Sequence, residues 1–226
     1  MKMDTFAVVD FETTGLMPAA GGRATEVAAV LVRGGEIVGH FQSLMHTGVP
    51  VPPFIEQLTG ISNEMLRDAP PAAKVMREVA AFTAGCGMVA HNAPFDRAFW
   101  RAELGLAGVP LEGDDTPFAC TVLLSRRVHP EAPSHKLGSL ARWHTLPDSG
   151  RAHRALADAQ TTAHLLLRLL SDLSSRHAAV PAPEAVPHRL LLALQRAPRD
   201  RLAHCIEAHA RACPAREDAT EAAGGG

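Results

Sequence analysis

The chain has 226 residues, of which 46% are hydrophobic and 20% charged, and its formal net charge is −2. This length makes one ordinary domain plus an appendage, and the apolar fraction can fill a core. The net charge argues against a module that holds nucleic acid by bulk electrostatic attraction. There is no apolar stretch of about 18 residues and no signal-peptide pattern. Because the four cysteines are also widely scattered, we expect a cytoplasmic protein without a membrane contact.

Hydrophobic patterning predicts three strands, near 6–11, 25–33 and 36–45, arranged as an antiparallel meander. After a proline-rich loop, a short helix ends at Gly60, Ser62 caps another turn, and Pro71 opens a helix to about Thr83. The remaining predicted elements are a strand at 88–90, a helix from about 93 to 106, a strand near 117–120, and helices near 121–128, 137–144 and 154–174. Hairpins followed by alternating strands and helices predict an α/β fold with a mixed sheet and helices on both faces.

The first informative motif is Asp10-Phe11-Glu12-Thr13-Thr14-Gly15. It follows the apolar run at 6–9, which is typical of a strand buried on both faces. Since Asp10 and Glu12 are two residues apart, both side chains leave the strand on the same face. Two acids at the end of a buried strand are costly unless they are paired or bind a metal. The alternatives are the start of an ordinary loop, or an aspartate-nucleophile phosphatase, which would need Asp in place of Glu12.

The second motif is His91-Asn92-Ala93-Pro94-Phe95-Asp96, at the start of the predicted helix. Asn92 suits the N-cap and Pro94 the first turn. Asp96 also lies in the first turn, where the helix dipole favours a carboxylate, and this would explain it without any function. We expect His91 to be a structural histidine.

The third motif, His153-Arg154-Ala155-Leu156-Ala157-Asp158-Ala159, opens a long helix with an apolar stripe along one face. On a continuous helix, His153 and Asp158 would lie about 140° apart around the axis. The two can therefore meet only if His153 lies in the loop before the helix. A loop histidine beside a bound water is the arrangement that general-base catalysis requires. Taken alone, His153 is better explained as an ordinary exposed loop histidine, one of twelve histidines in the chain.

Together, in this order and spacing, the three motifs resemble the DEDDh subgroup of the DnaQ-like 3′→5′ exonucleases, over residues 5–172. Weaker similarity occurs at Leu58-Thr59-Gly60-Ile61 and Ser134-His135-Lys136-Leu137. The resemblance implies a ribonuclease H-like fold, two bound Mg²⁺ ions that Mn²⁺ can replace, and hydrolysis of a single strand from its 3′ end to nucleoside 5′-monophosphates. It also implies metal ligation by Asp10, Glu12, Asp96 and Asp158, with His153 as the general base. A sister subgroup uses tyrosine in place of this histidine, but the chain contains no tyrosine.

The resemblance also predicts the residues that contact the substrate: Thr13, Thr14, Gly15, Leu16, Leu58, Thr59, Asn92 and Phe95. Leu16 and Leu58 match positions that wedge against terminal bases, and core packing is their alternative role. DNA is the favoured substrate, in proofreading or repair. Two alternatives stay open, an RNA-trimming exoribonuclease and a non-catalytic nucleic-acid or polymerase-binding module. Such a module should have lost at least one of the five catalytic residues.

The composition changes near residue 175, which divides the chain into an exonuclease domain at 1–175 and an appendage at 176–226. The appendage begins with a linker containing Pro181, Pro183 and Pro187, continues as a helix over 189–212, and ends in a polar tail. It is either a tether for a partner such as a DNA polymerase or a helix that packs back on the domain. The Cys205, His209 and Cys213 series does not predict zinc, because its outer members would lie about 12 Å apart on a helix.

Overall fold

A computed structural model describes residues 4–110 and 116–212. One five-stranded sheet has the order β3-β2-β1-β4-β5. Its strands are β1 (Phe6–Thr13), β2 (Ala24–Arg33), β3 (Glu36–Leu44), β4 (Gly87–Ala90) and β5 (Phe118–Cys120). β2 is antiparallel to both β1 and β3, whereas β1, β4 and β5 run parallel to one another. The predicted mixed sheet, with a hairpin meander that gives way to parallel strands, is confirmed.

The described residues form nine α-helices and three short 3₁₀ turns. The α-helices are α1 (Pro53–Thr59), α2 (Asn63–Arg67), α3 (Ala72–Phe82), α4 (Ala93–Leu106), α5 (Thr121–Val128), α6 (Leu137–Trp143), α7 (Ala155–Arg176), α8 (His188–Leu194) and α9 (Leu202–Ala212). As the sequence predicted, α1 is followed by Gly60 in the left-handed conformation, and the Ser62 hydroxyl caps α2 by accepting the Met65 N–H over 3.1 Å. In the described part of the chain, no helix combines the length and hydropathy needed to cross a bilayer.

The sheet separates two hydrophobic layers. Val8 of β1 faces the layer built with α7, which includes Leu166 and Leu170. The neighbouring Val9 faces the opposite layer, built with α3 and α4 and including Phe99. Because successive strand residues point to opposite faces, a central strand covered on both sides must be apolar without interruption. This is why the run at 6–9 precedes the acidic motif directly.

The segment after α7 packs on the sheet through its described part. Leu190, Leu191 and Leu194 of α8 are at most 1% exposed and belong to the same apolar layer as α7. The Gln195 side chain accepts the Cys120 N–H over 2.6 Å and donates to the Phe118 carbonyl over 3.1 Å. It thereby satisfies the open edge of β5 much as a sixth strand would. This packing favours the second interpretation of the appendage, whose role stays a prediction. The predicted polar tail from Pro214 onward lies outside the described residues.

Candidate active site

Two of the predicted carboxylates project from the end of the central strand β1. Asp10 and Glu12 lie on one face of β1, next to the parallel strand β4 on one side and β2 on the other. In the antiparallel pairing with β2, Glu12 stands directly opposite Glu26. Like charges at directly opposed positions repel each other. The end of β1 is therefore a site that needs compensating positive charge.

Asp96, in the first turn of α4, brings a third carboxylate to the same place. Its side chain is buried, and its Oδ1 accepts the Phe11 N–H of β1 over 3.2 Å. This contact fixes Asp96 beside Asp10. Burial, followed by the charges of Asp96, Asp158 and Glu12, raises the pKa of Asp10 well above its ordinary value. Burial is also the main cause that raises the pKa of Asp96.

Asp158 and His153 complete the set from the start of α7. His153 lies in the loop that precedes the helix, as the spacing required, with a positive φ of 60° and an exposed ring. Its backbone N–H donates to Asp158 Oδ2 over 3.1 Å. One ligand atom each from Glu12, His153 and Asp158 lie within 4.8 Å of one another. The structure thus brings all five predicted catalytic residues to one end of the sheet.

The electrostatics of this site suit a hard divalent cation. The pKa of Glu12 is raised to about 8 by burial and by the charges of Asp158 and Glu26, and the Arg154 guanidinium only partly offsets this rise. Burial likewise raises the pKa of Asp158. Carboxylates that oppose one another's ionisation lose this penalty when a cation lies between them. Oxygen ligands of this kind fit Mg²⁺ or Mn²⁺, and a histidine at the edge does not compete for such a hard ion.

The sequence did not predict the ion pair between Glu26 and Arg154, which we call the Glu26–Arg154 clamp. It lies next to His153 in the chain, because Arg154 is the following residue. Glu26 is fully buried on β2 and accepts hydrogen bonds from Arg154 Nε at 3.1 Å, Arg154 Nη2 at 2.8 Å and the Ala155 N–H at 3.0 Å. Gln42 on β3 donates to Glu26 as well, over 2.7 Å. Arg154 and Ala155, the two residues after His153, are therefore held to the sheet by hydrogen bonds to Glu26. The sequence signal that could have revealed Glu26 is the presence of an acidic residue within the largely apolar strand at 24–32.

The predicted substrate residues fall into two groups. Leu16 is 83% exposed and Leu58 48% exposed, so neither side chain is part of the core. The threonine hydroxyls are committed to internal contacts: Thr13 Oγ1 donates to the Gly15 carbonyl, Thr14 Oγ1 accepts the Arg23 N–H, and Thr59 Oγ1 donates to the Ile55 carbonyl. Thr13 and Thr59 thus use their hydroxyl protons within the chain, whereas the Thr14 hydroxyl acts only as an acceptor in its contact. Contact of these residues with a substrate stays a prediction.

Asn92 and Phe95 flank the carboxylates from α4. Asn92 occupies the N-cap position, as predicted, but it has a positive φ of 66° and its exposed side chain makes no capping hydrogen bond. Asparagine tolerates this left-handed conformation better than most residues. The half-buried Phe95 ring packs on Phe99, with ring centroids 5.0 Å apart. His91 is structural, as expected, with Nδ1 2.8 Å from Thr121 Oγ1 and a pKa lowered by burial to about 4.

A groove of about 500 Å³ adjoins Asn92 and carries basic side chains. Arg126 of α5 and His135 and Lys136 of the loop before α6 line it. The sequence drew attention to 134–137 only as a weak similarity, because no local pattern shows that Arg126 lies on the same wall. Cationic side chains next to a carboxylate cluster provide a path for a phosphate backbone that leads to the site.

Comparisons with known proteins agree with this geometry. Residues 7–166 match the sequence model of the Exonuclease (RNase_T) family. The chain is 38% identical over 173 residues to the 3′-5′ exonuclease DinG of Bacillus subtilis and 40% identical over 176 residues to a DNA polymerase III subunit epsilon-like protein of Rhodobacter capsulatus. Each alignment covers 76% of this chain, but only 18% and 24% of those relatives. The chain therefore spans about a quarter or less of their length.

Solved structures give the same result for the fold. Exonuclease X in complex with 5′ overhanging duplex DNA is 27% identical, with a TM-score of 0.59 over 80% of this chain and 97% of the other. The nuclease domain of 3′hExo, a DEDDh family member bound to rAMP, is 20% identical, with a TM-score of 0.63 over 75% of this chain and 93% of the other. The second similarity is one of fold alone. Both place the five-stranded sheet among ribonuclease H-like architectures.

Proposed function

Because this chain belongs to the DnaQ-like family of 3′→5′ exonucleases, we propose that it is itself a metal-dependent exonuclease that hydrolyses a single strand from its 3′ end. The observation that carries the proposal is the approach of Glu12, His153 and Asp158 ligand atoms to within 4.8 Å of one another. Asp10 and Asp96 adjoin them, since, in addition to burial, the charges of Asp158 and Glu12 help to raise the pKa of Asp10 and the charge of Glu12 that of Asp96. Burying several carboxylates together costs free energy unless a cation compensates their charge, so a group without a function would be expected at the solvent-exposed surface.

The reaction is the attack of water on the terminal phosphodiester. The new P–O bond forms as the bond from phosphorus to the 3′-oxygen of the penultimate nucleotide breaks, and the products are a nucleoside 5′-monophosphate and a shortened strand with a 3′-hydroxyl. A pair of Mg²⁺ ions held by Asp10, Glu12, Asp96 and Asp158 would stabilise the charge that develops on the phosphate and the leaving oxygen. The exposed imidazole of His153 is placed to accept the proton of the attacking water. A proton from solvent completes the leaving 3′-hydroxyl.

Other side chains are suited to orient the strand. Leu16 and Leu58 expose apolar surface on separate segments, as side chains that stack against the terminal bases must. Arg126 and Lys136 offer positive charge to the phosphates further along the strand. These contacts do not depend on base identity, so we expect little sequence preference.

We propose DNA as the substrate, in a proofreading or repair role. The two relatives at 38% and 40% identity are named for a 3′-5′ exonuclease and a polymerase III epsilon-like protein, and Exonuclease X is solved with duplex DNA. The solved neighbours that bind rAMP or recognise a histone mRNA stem-loop are only about 20% identical, which supports an RNA-trimming role less strongly. The three described cysteines are unpaired, and we infer a cytoplasmic enzyme from this.

A time course on matched DNA and RNA oligonucleotides, each blocked at either the 3′ or the 5′ end, tests the proposal. We expect stepwise release of 5′-monophosphates from DNA with a free 3′ end, and no release when that end is blocked. Asp10→Asn is the matched inactive protein. Degradation of 3′-blocked strands would reject the polarity, faster loss of RNA would reassign the substrate, and binding without hydrolysis would favour the non-catalytic module.

A further inference from the structure

Three side chains converge on a second place, far from the carboxylate site. His129 follows α5, His144 follows α6, and Asp172 lies in the last third of α7. Their ligand atoms lie within 4.8 Å of one another. We propose that His129, His144 and Asp172 bind a Zn²⁺ ion that ties the ends of these three helices together.

Two buried ring nitrogens carry this inference. The Nε2 atoms of His129 and His144 are both buried, and neither has a hydrogen-bond partner in the described part of the chain. His129 Nε2 lies 2.8 Å from Asp172 Oδ2, but its N–H direction does not meet that oxygen. The His129 side chain is only 2% exposed. Buried polar atoms are almost always satisfied, so two ring nitrogens without a hydrogen bond beside one carboxylate point to a bound species that completes the cluster.

The donor set identifies the class of that bound species. The two imidazole nitrogens are borderline ligands, which suit Zn²⁺ better than Mg²⁺ or Ca²⁺, and Zn²⁺ also accepts a carboxylate oxygen. Three protein ligands leave a fourth tetrahedral position for water or an exogenous group. Glu131 Oε1 lies 3.4 Å from His129 Nδ1 and can accept a hydrogen bond from the N–H that this nitrogen carries when Nε2 binds the metal.

Two arginines contact the proposed ligands and would repel a bound cation. The contact of Arg168 can be tested by substitution. Arg168 Nε donates to Asp172 Oδ2 over 2.8 Å, and Arg176 Nη2 lies 3.3 Å from His129 Nδ1. Because the Arg168 side chain is 48% exposed, it can turn into solvent and release the carboxylate oxygen. Removal of Arg168 should therefore tighten metal binding. A purely structural cluster would only lose an ion pair.

The site is separate from the candidate active site. Asp158 and Asp172 both lie on α7, and the 14 positions between them correspond to about 21 Å along the helix axis. The Trp143 ring centroid is 5.1 Å from that of His129 and 4.4 Å from that of His144, so this tryptophan reports on the cluster. A cation that binds only the folded state would stabilise it by linkage.

Titration of the full-length Asp10→Asn/Asp158→Asn protein with ZnCl₂, in excess Mg²⁺, tests the site without interference from the candidate active site. We expect one Zn²⁺ per chain by metal analysis after dialysis, together with a rise in melting temperature. With Co²⁺ as the probe, we expect a visible absorption band and quenching of the Trp143 fluorescence. His144→Ala should weaken binding more than 100-fold, Glu131→Gln about tenfold, and Arg168→Gln should tighten it.

His164→Ala is the matched control, because His164 is a half-buried histidine on the same helix and outside the cluster. It should bind Zn²⁺ like the parent, and Trp143→Phe should bind the ion but lose the quenching. Absence of stoichiometric Zn²⁺ in the parent, or equal binding by a folded His144→Ala protein, would overturn the proposal and leave a buried water as the bound species.

Discussion

The backbone N–H of His153 donates to Asp158 Oδ2 over 3.1 Å, so the candidate base is tied to a candidate metal ligand by its main chain. Its imidazole takes no part in this contact and stays exposed. The hydrogen bond stabilises a backbone with a φ of 60°, which most residues avoid. Substitutions of the ring therefore separate the chemistry of His153 from its structural position.

The first prediction is that His153→Ala lowers the rate of hydrolysis about 10²–10⁴-fold, the typical contribution of a general base. The main-chain contact to Asp158 survives the change, so the affinity for Mg²⁺ should be unchanged. Single-turnover rates and metal titrations measure the two effects, and added imidazole should restore part of the rate. His40→Ala, at an exposed histidine on β3, is the control. Normal turnover of His153→Ala, or loss of metal binding instead of rate, would reassign the residue.

The second prediction is that Asp10→Asn or Asp158→Asn abolishes hydrolysis while the protein stays folded. Each substitution removes a charge that the cation needs, but it also ends the repulsion between Asp10 and Asp158, which, in addition to burial, helps to raise the pKa of Asp10 in the metal-free parent. Relief of one pKa unit corresponds to about 1.4 kcal/mol, or roughly 3–6 °C in melting temperature for a domain of this size. Both variants should thus melt higher than the parent in EDTA. Cleavage that persists in EDTA, or in folded Asp10→Asn, would reject metal-dependent hydrolysis.

The third prediction concerns the pH dependence of the metal-free protein. The pKa of Glu12 rises from its ordinary 4.5 to about 8 in the folded state, so the folded protein binds more protons than the unfolded chain between these values. Its free energy of unfolding should therefore fall as pH rises from about 4.5 to about 8. Melting curves in EDTA across this range measure the slope.

Excess Mg²⁺ should flatten that slope, because the cation replaces the proton, and Glu12→Gln should reduce it in EDTA. Glu56→Gln on α1 is the control, since its carboxylate lies outside the cluster. A metal-free protein whose stability rises steadily to pH 8 would contradict the electrostatics described for the site.

The candidate catalytic residues were more predictable from the sequence than the residues that hold them in position. The motifs around Asp10, Asp96 and Asp158 are local, and each lies next to a strand or helix whose periodicity is legible. Glu26 and Arg154 are 128 positions apart in the sequence, and no local pattern around either residue indicates that they form a contact. The contact of Gln195 with the β5 edge was not predictable either, because the proline-rich segment before it has the composition of a linker. In the structure, Val180 and Val186 of that segment are buried.

The fourth prediction is that the Glu26–Arg154 clamp positions His153. Arg154→Met should leave Glu26 buried without its cation, at a cost of about 2–4 kcal/mol, toward the low end because Arg154 is 31% exposed. It should also lower kcat about 10–100-fold with little change in KM, since a displacement of about 1 Å at the site is costly. Glu26→Gln/Arg154→Met should recover stability but not kcat. If kcat returns with stability, the clamp is merely structural.

The fifth prediction is that α8 is part of the folded unit and that the chain cannot be cut at Ser175 without loss of stability. Truncation there would expose the apolar surface that Leu190, Leu191 and Leu194 cover and would open the β5 edge that Gln195 satisfies. Leu191→Ala alone should cost about 2–5 kcal/mol in the free energy of unfolding. Truncation after Ala212 keeps every described helix and is the control. We expect it to melt like the parent, whereas the protein cut at Ser175 should aggregate or melt many degrees lower. If that protein instead keeps its melting temperature and its hydrolysis but loses a polymerase in pull-down experiments, the segment is a tether and the packing of α8 contributes little.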